Sequence, residues 1–312
     1  MSSATGRFAL GSDDQAAHVV RAAREAIVVA PEGFAIWHDL ALALWADGHH
    51  RDAWRALRRA EAAGYPREAK APPRSIVIPV LDYSPDSPFD IVGLLADLED
   101  FAGEVICVFN SAEMFADLRE HPRIDKFSFN KHNVGVARSW NIGLNQAEGE
   151  IVFILNADLH LSLPALGSLE RHLLSLPNAL AVGLSGDIYD FERLKARIKY
   201  PPGSLSAPVV VDKPSGFAFA LHARRLHDAG ICFDPRLSPY FYEELDLTLK
   251  ARQVGLEIYA APVSGIEHVD GISSNRRPIN CLGREVDRMQ VLVRNANLIL
   301  DRVERSTKQV PE

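Results

Sequence analysis

Between residues 75 and 155 the chain alternates short apolar runs with segments of helical period. No other feature restricts the fold as much. Ser75–Val80 is an apolar run too short for a stable helix. Ile91, Leu94, Leu95, Leu98 and Phe101 then recur at helical spacing. Glu104–Phe109 reads as the next strand, 111–120 as a helix, 124–129 as strand-like, 134–147 as a helix and Ile151–Leu155 as a strand. Such alternation predicts an α/β fold, a mostly parallel sheet covered by helices on both faces. In sheets of this kind ligands collect at the carboxyl ends of the strands, and the informative polar residues of this chain fall there.

The flanks read differently. Residues 14–63 carry helical periodicity, broken by Pro31 and the Asp47-Gly48 pair into three helices. The spacing of Trp37, Leu40, Ala41, Leu44, Gly48, Ala53, Leu57 and Ala60 resembles one tetratricopeptide repeat. A plain helical hairpin fits the same residues. Pro66, Pro72 and Pro73 mark a linker, which predicts a helical module over 1–70, an α/β domain over 74–275 and a helical tail over 276–312. In that tail Val286, Met289, Leu292, Ala296, Leu300 and Val303 form one apolar stripe, fit for core packing or for a homo-oligomer. A net charge of −7 argues against nucleic acid or an anionic membrane as a general partner. The three cysteines form no CxxC pair, which argues against a disulfide framework or zinc cluster and fits a reducing compartment. With no signal-like apolar core and no run long enough to span a bilayer, the expected location is cytoplasmic, with peripheral membrane docking left open.

Four segments carry chemistry, and each also has an ordinary reading. Strand Ile151–Leu155 runs into Asn156 and Asp158, whose oxygens suit a divalent cation and a ribose; an Asx turn closing a strand looks the same. In 131–150, Gly135, Ala137, Ser139, Asn141 and Gly143 make a thin helix start, suited to a diphosphate or simply to close packing. Glu243, Glu244 and Asp246 crowd another helix start. Crowded acids raise one another's pKa values, as a general base or metal site requires, but the helix dipole favours acids there in any case. His268 follows a strand-like run at Leu256–Ala260 and, taken alone, is one histidine among 11.

In order and spacing these segments resemble the landmarks of the family-two inverting glycosyltransferases. SIVIPVLDY is similar to that family's first strand, VICVFNSA to its second, NVGVARSWNIGL to its Asn-x-Gly helix and FILNADLHL to its Asp-x-Asp segment in an Asn-x-Asp form. The stretch from Gly216 to His268 resembles its acceptor half, and the resemblance covers about two-thirds of the chain. It implies a GT-A fold, a Rossmann-like sheet with donor and acceptor halves. It further implies that Pro79, Asn110, Asn141 and Asn156 lie near a nucleoside-diphosphate-sugar donor. Asp158 and His268 would bind Mn2+ or Mg2+, and Glu244 would be the catalytic base. Arg276 and Arg277 follow on a polar segment that could reach the diphosphate. The Asn-x-Asp form is similar to rhamnosyl- and galactofuranosyl-type branches. Phe109 stands where the family often has Asp, Trp140 where Arg is common and Glu244 where Asp is usual.

The implied reaction is metal-dependent transfer of a sugar, with inversion, to a glycan, lipid-linked or protein acceptor, as in polysaccharide biosynthesis. A non-catalytic nucleotide-binding or scaffold protein derived from such an enzyme is the rival reading. A nucleotidyltransferase would want a Gly-rich basic loop after the first strand, and LDYSPDSPF offers none.

Overall fold

The computed structural model describes residues 49–63, 73–84, 87–269 and 279–308, together with Trp37, Leu40, Ala41 and Leu44. Two compact units divide the chain, one over Met1–Ala71 with Ser175–Pro177 and the other over Pro72–Leu174 with Asn178–Glu312. In the first, helix α1 (His50–Ala63) buries Ala53, Ala56 and Ala60, and the helical residues Leu40, Ala41 and Leu44 before it are also buried. The Arg59 guanidinium lies 5.3 Å over the Trp37 ring, so the two helical stretches run back alongside each other. Small side chains at these positions permit that close approach. The expected helix 14–30, the turn at Gly48, the Leu57 side chain, Arg276 and Arg277 lie outside the described residues.

The second unit is built on strands β1 (Arg74–Val80), β2 (Glu104–Phe109), β3 (Lys126–Phe129) and β4 (Ile151–Leu155). Helices α2 (Ile91–Asp97), α3 (Ala112–Leu118) and α4 (Val136–Gln146) alternate with them. There follow β5 (Leu159–Leu161), α5 (Leu163–Ser175), β6 (Ala179–Gly183), β7 (Gly186–Asp190), β8 (Lys195–Tyr200), β9 (Val209–Val210), β10 (Lys213–Pro214) and β11 (Ala218–His222). The unit ends with α6 (Ala223–Asp228), α7 (Glu243–Gln253), β12 (Glu257–Ala260), β13 (Ile266–His268), the hairpin strands β14 (Ile279–Cys281) and β15 (Arg284–Val286), and α8 (Arg288–Lys308). Among the described residues no helix is long and apolar enough to cross a membrane.

An eight-stranded sheet runs β3-β2-β1-β4-β11-β6-β12-β9. The pairs β1–β2, β2–β3, β1–β4 and β6–β12 are parallel, whereas β11 runs antiparallel to both β4 and β6, and β9 to β12. Every residue of β4 is buried, as a strand covered on both faces requires. From β1 the chain steps outward to β2 and β3, then returns to place β4 on the other side of β1. That reversal opens a crevice at the carboxyl ends of β1 and β4. Pro79 widens it. The Val80 carbonyl accepts from Asn110 N at 2.7 Å, so Val80 faces β2 and the preceding Pro79 faces β4, where pairing has already ended at Val77. A proline has no N–H with which to continue that ladder.

Helix α4 lies close on the sheet because Gly143 faces Val77; a Cβ there would overlap the Val77 side chain. Trp140, which stands where the resemblance leads one to expect Arg, is buried edge-on between Phe219 and Phe233, with ring centroids at 5.5 and 4.8 Å.

The tail differs from the stripe read in the sequence. Val286 belongs to β15, Met289 is 55% exposed, and the residues that α8 buries are Val291, Asn295 and Ile299. A stripe traced through apolar residues alone misses a helix whose buried line is centred on an asparagine.

Candidate active site

The carboxyl end of β4 delivers Asn156 and Asp158, and the pairing of β5 with β13 sets Leu159 opposite His268. Asp158 Oδ1 and His268 Nε2 thereby approach to 3.4 Å, each side chain about 7% exposed. Asn156 Nδ2 lies 3.5 Å from the same imidazole nitrogen. The His268 ring stacks on Phe217, with centroids 4.4 Å apart and planes at 8°. The Phe217 carbonyl in turn accepts from Asn156 N at 2.7 Å. Phe217 thus holds both the imidazole and the end of β4.

The residue before it, Gly216, connects this group to the acidic helix. The Glu244 carboxylate occupies the space that a Cβ on Gly216 would need, with Oε1 nearest. Only glycine permits this approach. Gly216 and Phe217 open the segment GFAFAL, whose signal in the sequence is a glycine beside an aromatic residue at a strand start; no site role follows from that pattern alone.

The three acids of α7 have separate environments, although all are buried. Glu244 faces Gly216. Glu243 Oε1 has no hydrogen-bond partner among the described residues, and burial, then the neighbouring Glu244, push its carboxyl well above the usual carboxylate range. Asp246 forms ion pairs with Lys250 and with Arg302 of α8, both at 2.7 Å. It is therefore bound into the scaffold. Lys213 lies close enough to Glu244 for that carboxylate to be the main influence raising its pKa. Neither the position nor the charge of Lys213 stands out in the sequence.

Two of the expected nucleotide neighbours are engaged elsewhere. Asn110, at the end of β2, is buried and donates to Ser139 Oγ at 2.9 Å, while its Oδ1 accepts from Val134 N at 3.2 Å. It fastens the Asn-x-Gly turn to the sheet. Asn141 donates to the Phe233 carbonyl at 2.8 Å and accepts from Phe233 N at 3.0 Å. It lines a separate cavity of about 630 Å³ with residues such as Glu150 and Arg224. The structure does not bring Asn141 to the group around Asp158. Phe109 is fully buried and meets Phe115 and Phe127 edge-on at 5.7 and 6.3 Å, on the aromatic side of β2.

The Asp158–His268 pair fits a divalent cation. Two neighbouring ligands, each at about 2.0–2.5 Å from a metal, lie at roughly the separation observed. Among the described residues no group of three or more His, Cys, Asp or Glu side chains converges, so phosphate or water oxygens would complete such a shell.

No protein family model matches the chain. No curated protein matches it either. Solved structures do. A crystal structure of GalNAc-T7 with UDP, GalNAc and Mn2+ aligns with a TM-score of 0.53 at 12% identity, covering 74% of this chain and 48% of that one. The mannosyltransferase PcManGT of Pyrobaculum calidifontis, in complex with GDP-Man and Mn2+, aligns at 0.46 and 19% identity over 72% and 66% of the two chains. S. aureus TarS 1–349 with UDP-GlcNAc aligns at 0.46 and 18% over 65% and 61%. The chain spans about half the length of the GalNAc-T7 structure. The likeness to GalNAc-T7 concerns the fold alone, a GT-A fold.

Proposed function

We propose that this chain is a glycosyltransferase that moves a sugar from a nucleoside diphosphate to an acceptor hydroxyl with inversion. The donor occupies the crevice at the carboxyl ends of β1 and β4, beside Pro79 and Asn156. Glu244 takes the proton of the acceptor hydroxyl as its oxygen bonds to the anomeric carbon. The bond from that carbon to the diphosphate breaks, and the diphosphate leaves with the electron pair. Asp158 and His268 hold the cation; the imidazole suits Mn2+ better than Mg2+. When bound, the cation supplies positive charge to the leaving diphosphate. GalNAc-T7, which shares the fold, was crystallised with UDP and Mn2+, and the same ligand classes are the first to offer here. Rhamnosyl and galactofuranosyl donors belong in the panel through the Asn-x-Asp resemblance, and the acceptor class is a glycan, lipid-linked or protein hydroxyl.

The observation that carries this reading is the Gly216–Phe217 segment, with the Glu244 carboxylate against Gly216 and His268 stacked on Phe217. It joins an acceptor-side carboxylate to a metal-suited pair within two residues. The test is thermal denaturation with UDP, GDP, dTDP and their sugars, with and without Mn2+, followed by nucleoside diphosphate release. One base series should raise Tm only with Mn2+. Asp158→Asn should abolish that rise and Glu244→Gln should keep it. No Mn2+-dependent shift with any of these ligands would end the proposal. A shift without turnover on any donor would favour the non-catalytic reading, for which the burial of Phe109 and the internal bonds of Asn110 are the supporting observations.

A further inference from the structure

The segment that leads into α7 has an unusual backbone. Phe241 and Tyr242, neither of them glycine, have φ of 87° and 75°, and Glu243 and Glu244 follow at once. Side-chain–bearing residues seldom occupy this region unless the surroundings over-determine it. Here the surroundings are two elements. From α4, Val136 N donates to the Pro239 carbonyl at 2.7 Å, and Arg138 Nη1 donates to Ser238 Oγ at 2.6 Å. From α8, one fully buried side chain does most of the holding. The two N–H groups of Asn295 Nδ2 serve three carbonyls, those of Leu237, Tyr240 and Phe241 at 2.7, 2.9 and 3.2 Å, one N–H being shared between two of them. Its Oδ1 accepts from Arg294 Nε and Nη2 at 3.0 and 2.9 Å, which settles the orientation of the amide. Arg294 Nη2 also donates to the Ser238 carbonyl. About two turns further along, Arg302 ties α8 to Asp246 at 2.7 Å and to Asp234 at 2.9 Å.

We infer that Asn295 is a positioning residue for Glu244: by binding three carbonyls of one loop, it holds the left-handed Phe241–Tyr242 backbone that aims the start of α7 at Gly216. The inference rests on Glu244 being the base, as proposed above. It adds that the acceptor side of the site is completed from α8, beyond the stretch that carries the family resemblance. Only an amide of this length suits the place. An apolar residue would leave three carbonyls short of a donor, and a carboxylate would set negative charge against them.

The experiment is steady-state kinetics of Asn295→Asp, which preserves shape and the Arg294 contact but removes both N–H donors. A displacement of about 1 Å in a reacting group costs on the order of 10²-fold in rate, so kcat should fall by about that factor. Donor KM and the Mn2+-dependent Tm rise should stay near wild type, because Asp158, His268 and Asn156 lie on other elements. A general loss of structure would move all three readouts together, and that pattern, or an unchanged kcat, would overturn the inference. If Asn295→Asp does not fold, Arg302→Gln cuts the second tie at a part-exposed position and should give the same split. Failure of the underlying reading looks different: wild type itself would then show no turnover on any donor.

Discussion

Glu243 and Glu244 are neighbours in the chain, yet one carboxyl is enclosed with its Oε1 unpartnered among the described residues and the other lies against a glycine in the site. Two outcomes follow. Glu244→Gln should lower turnover by roughly 10²–10⁴-fold, the range for loss of a general base, with donor binding kept; Glu243→Gln should change turnover little. Reversed effects would mean that the base is Glu243. The pH dependence of stability separates the two residues independently. Burial raises the folded-state pKa of Glu243, so above about pH 4.3 the unfolded chain releases a proton that the folded chain retains. Stability contributed by that proton is full below the unfolded pKa and is lost as pH rises through the raised folded value. Glu243→Gln carries no such proton. Its Tm relative to wild type should therefore climb from pH 5 to pH 8, and a flat difference would show that Glu243 is ionised in the folded state. At this scale the sequence is informative about residue type and poor about role. The motif order picks out Asp158, His268 and Glu244, but Asn110 and Asn141 look equally suited to a nucleotide. Their amides are satisfied by Ser139, Val134 and Phe233, partners that sit up to 92 residues away and leave no local pattern.

Among the elements, α4 shows how packing against the sheet overrides intrinsic preference. Gly143 costs the helix about 1 kcal/mol relative to alanine. A Cβ there would strike Val77, which is itself fully buried in the central strand. Overpacking of this kind costs about 1–3 kcal/mol, so the clash outweighs the helix gain. Gly143→Ala should lower Tm by a few degrees, as measured by calorimetry, without altering which nucleotide binds; an increase in Tm would show that β1 yields. The elements from β1 to β4 are legible because apolar runs and helical periods alternate cleanly there. From β5 to β10 the strands are two to six residues long, and several are half-exposed, too short for a period to register. The tail helix is legible as a helix, but its buried face follows Asn295, a polar residue whose burial makes sense only once three carbonyls surround it.

For the whole molecule, every residue of the candidate site belongs to the second unit, which begins at Pro72. A chain lacking residues 1–71 should therefore keep the Mn2+-dependent donor response proposed above, as read by thermal denaturation. Loss of that response from a folded, soluble truncation would make the helical module part of the site. The alternation of apolar runs and helical periods determined by itself that the chain builds an α/β sheet, since backbone hydrogen bonding and burial leave few other solutions for that pattern. The linear order of the polar motifs likewise set Asn156 and Asp158 at the carboxyl end of β4. Only the tertiary structure decided that the amides of Asn110 and Asn141 are spent on the protein while Asp158 and His268 are brought together. It also decided that Gly216 leaves room for Glu244 and that Asn295 holds the loop before it. The physical reason is that satisfaction of a buried polar group, and the space left by a missing Cβ, are set by atoms far away in the chain and close in space.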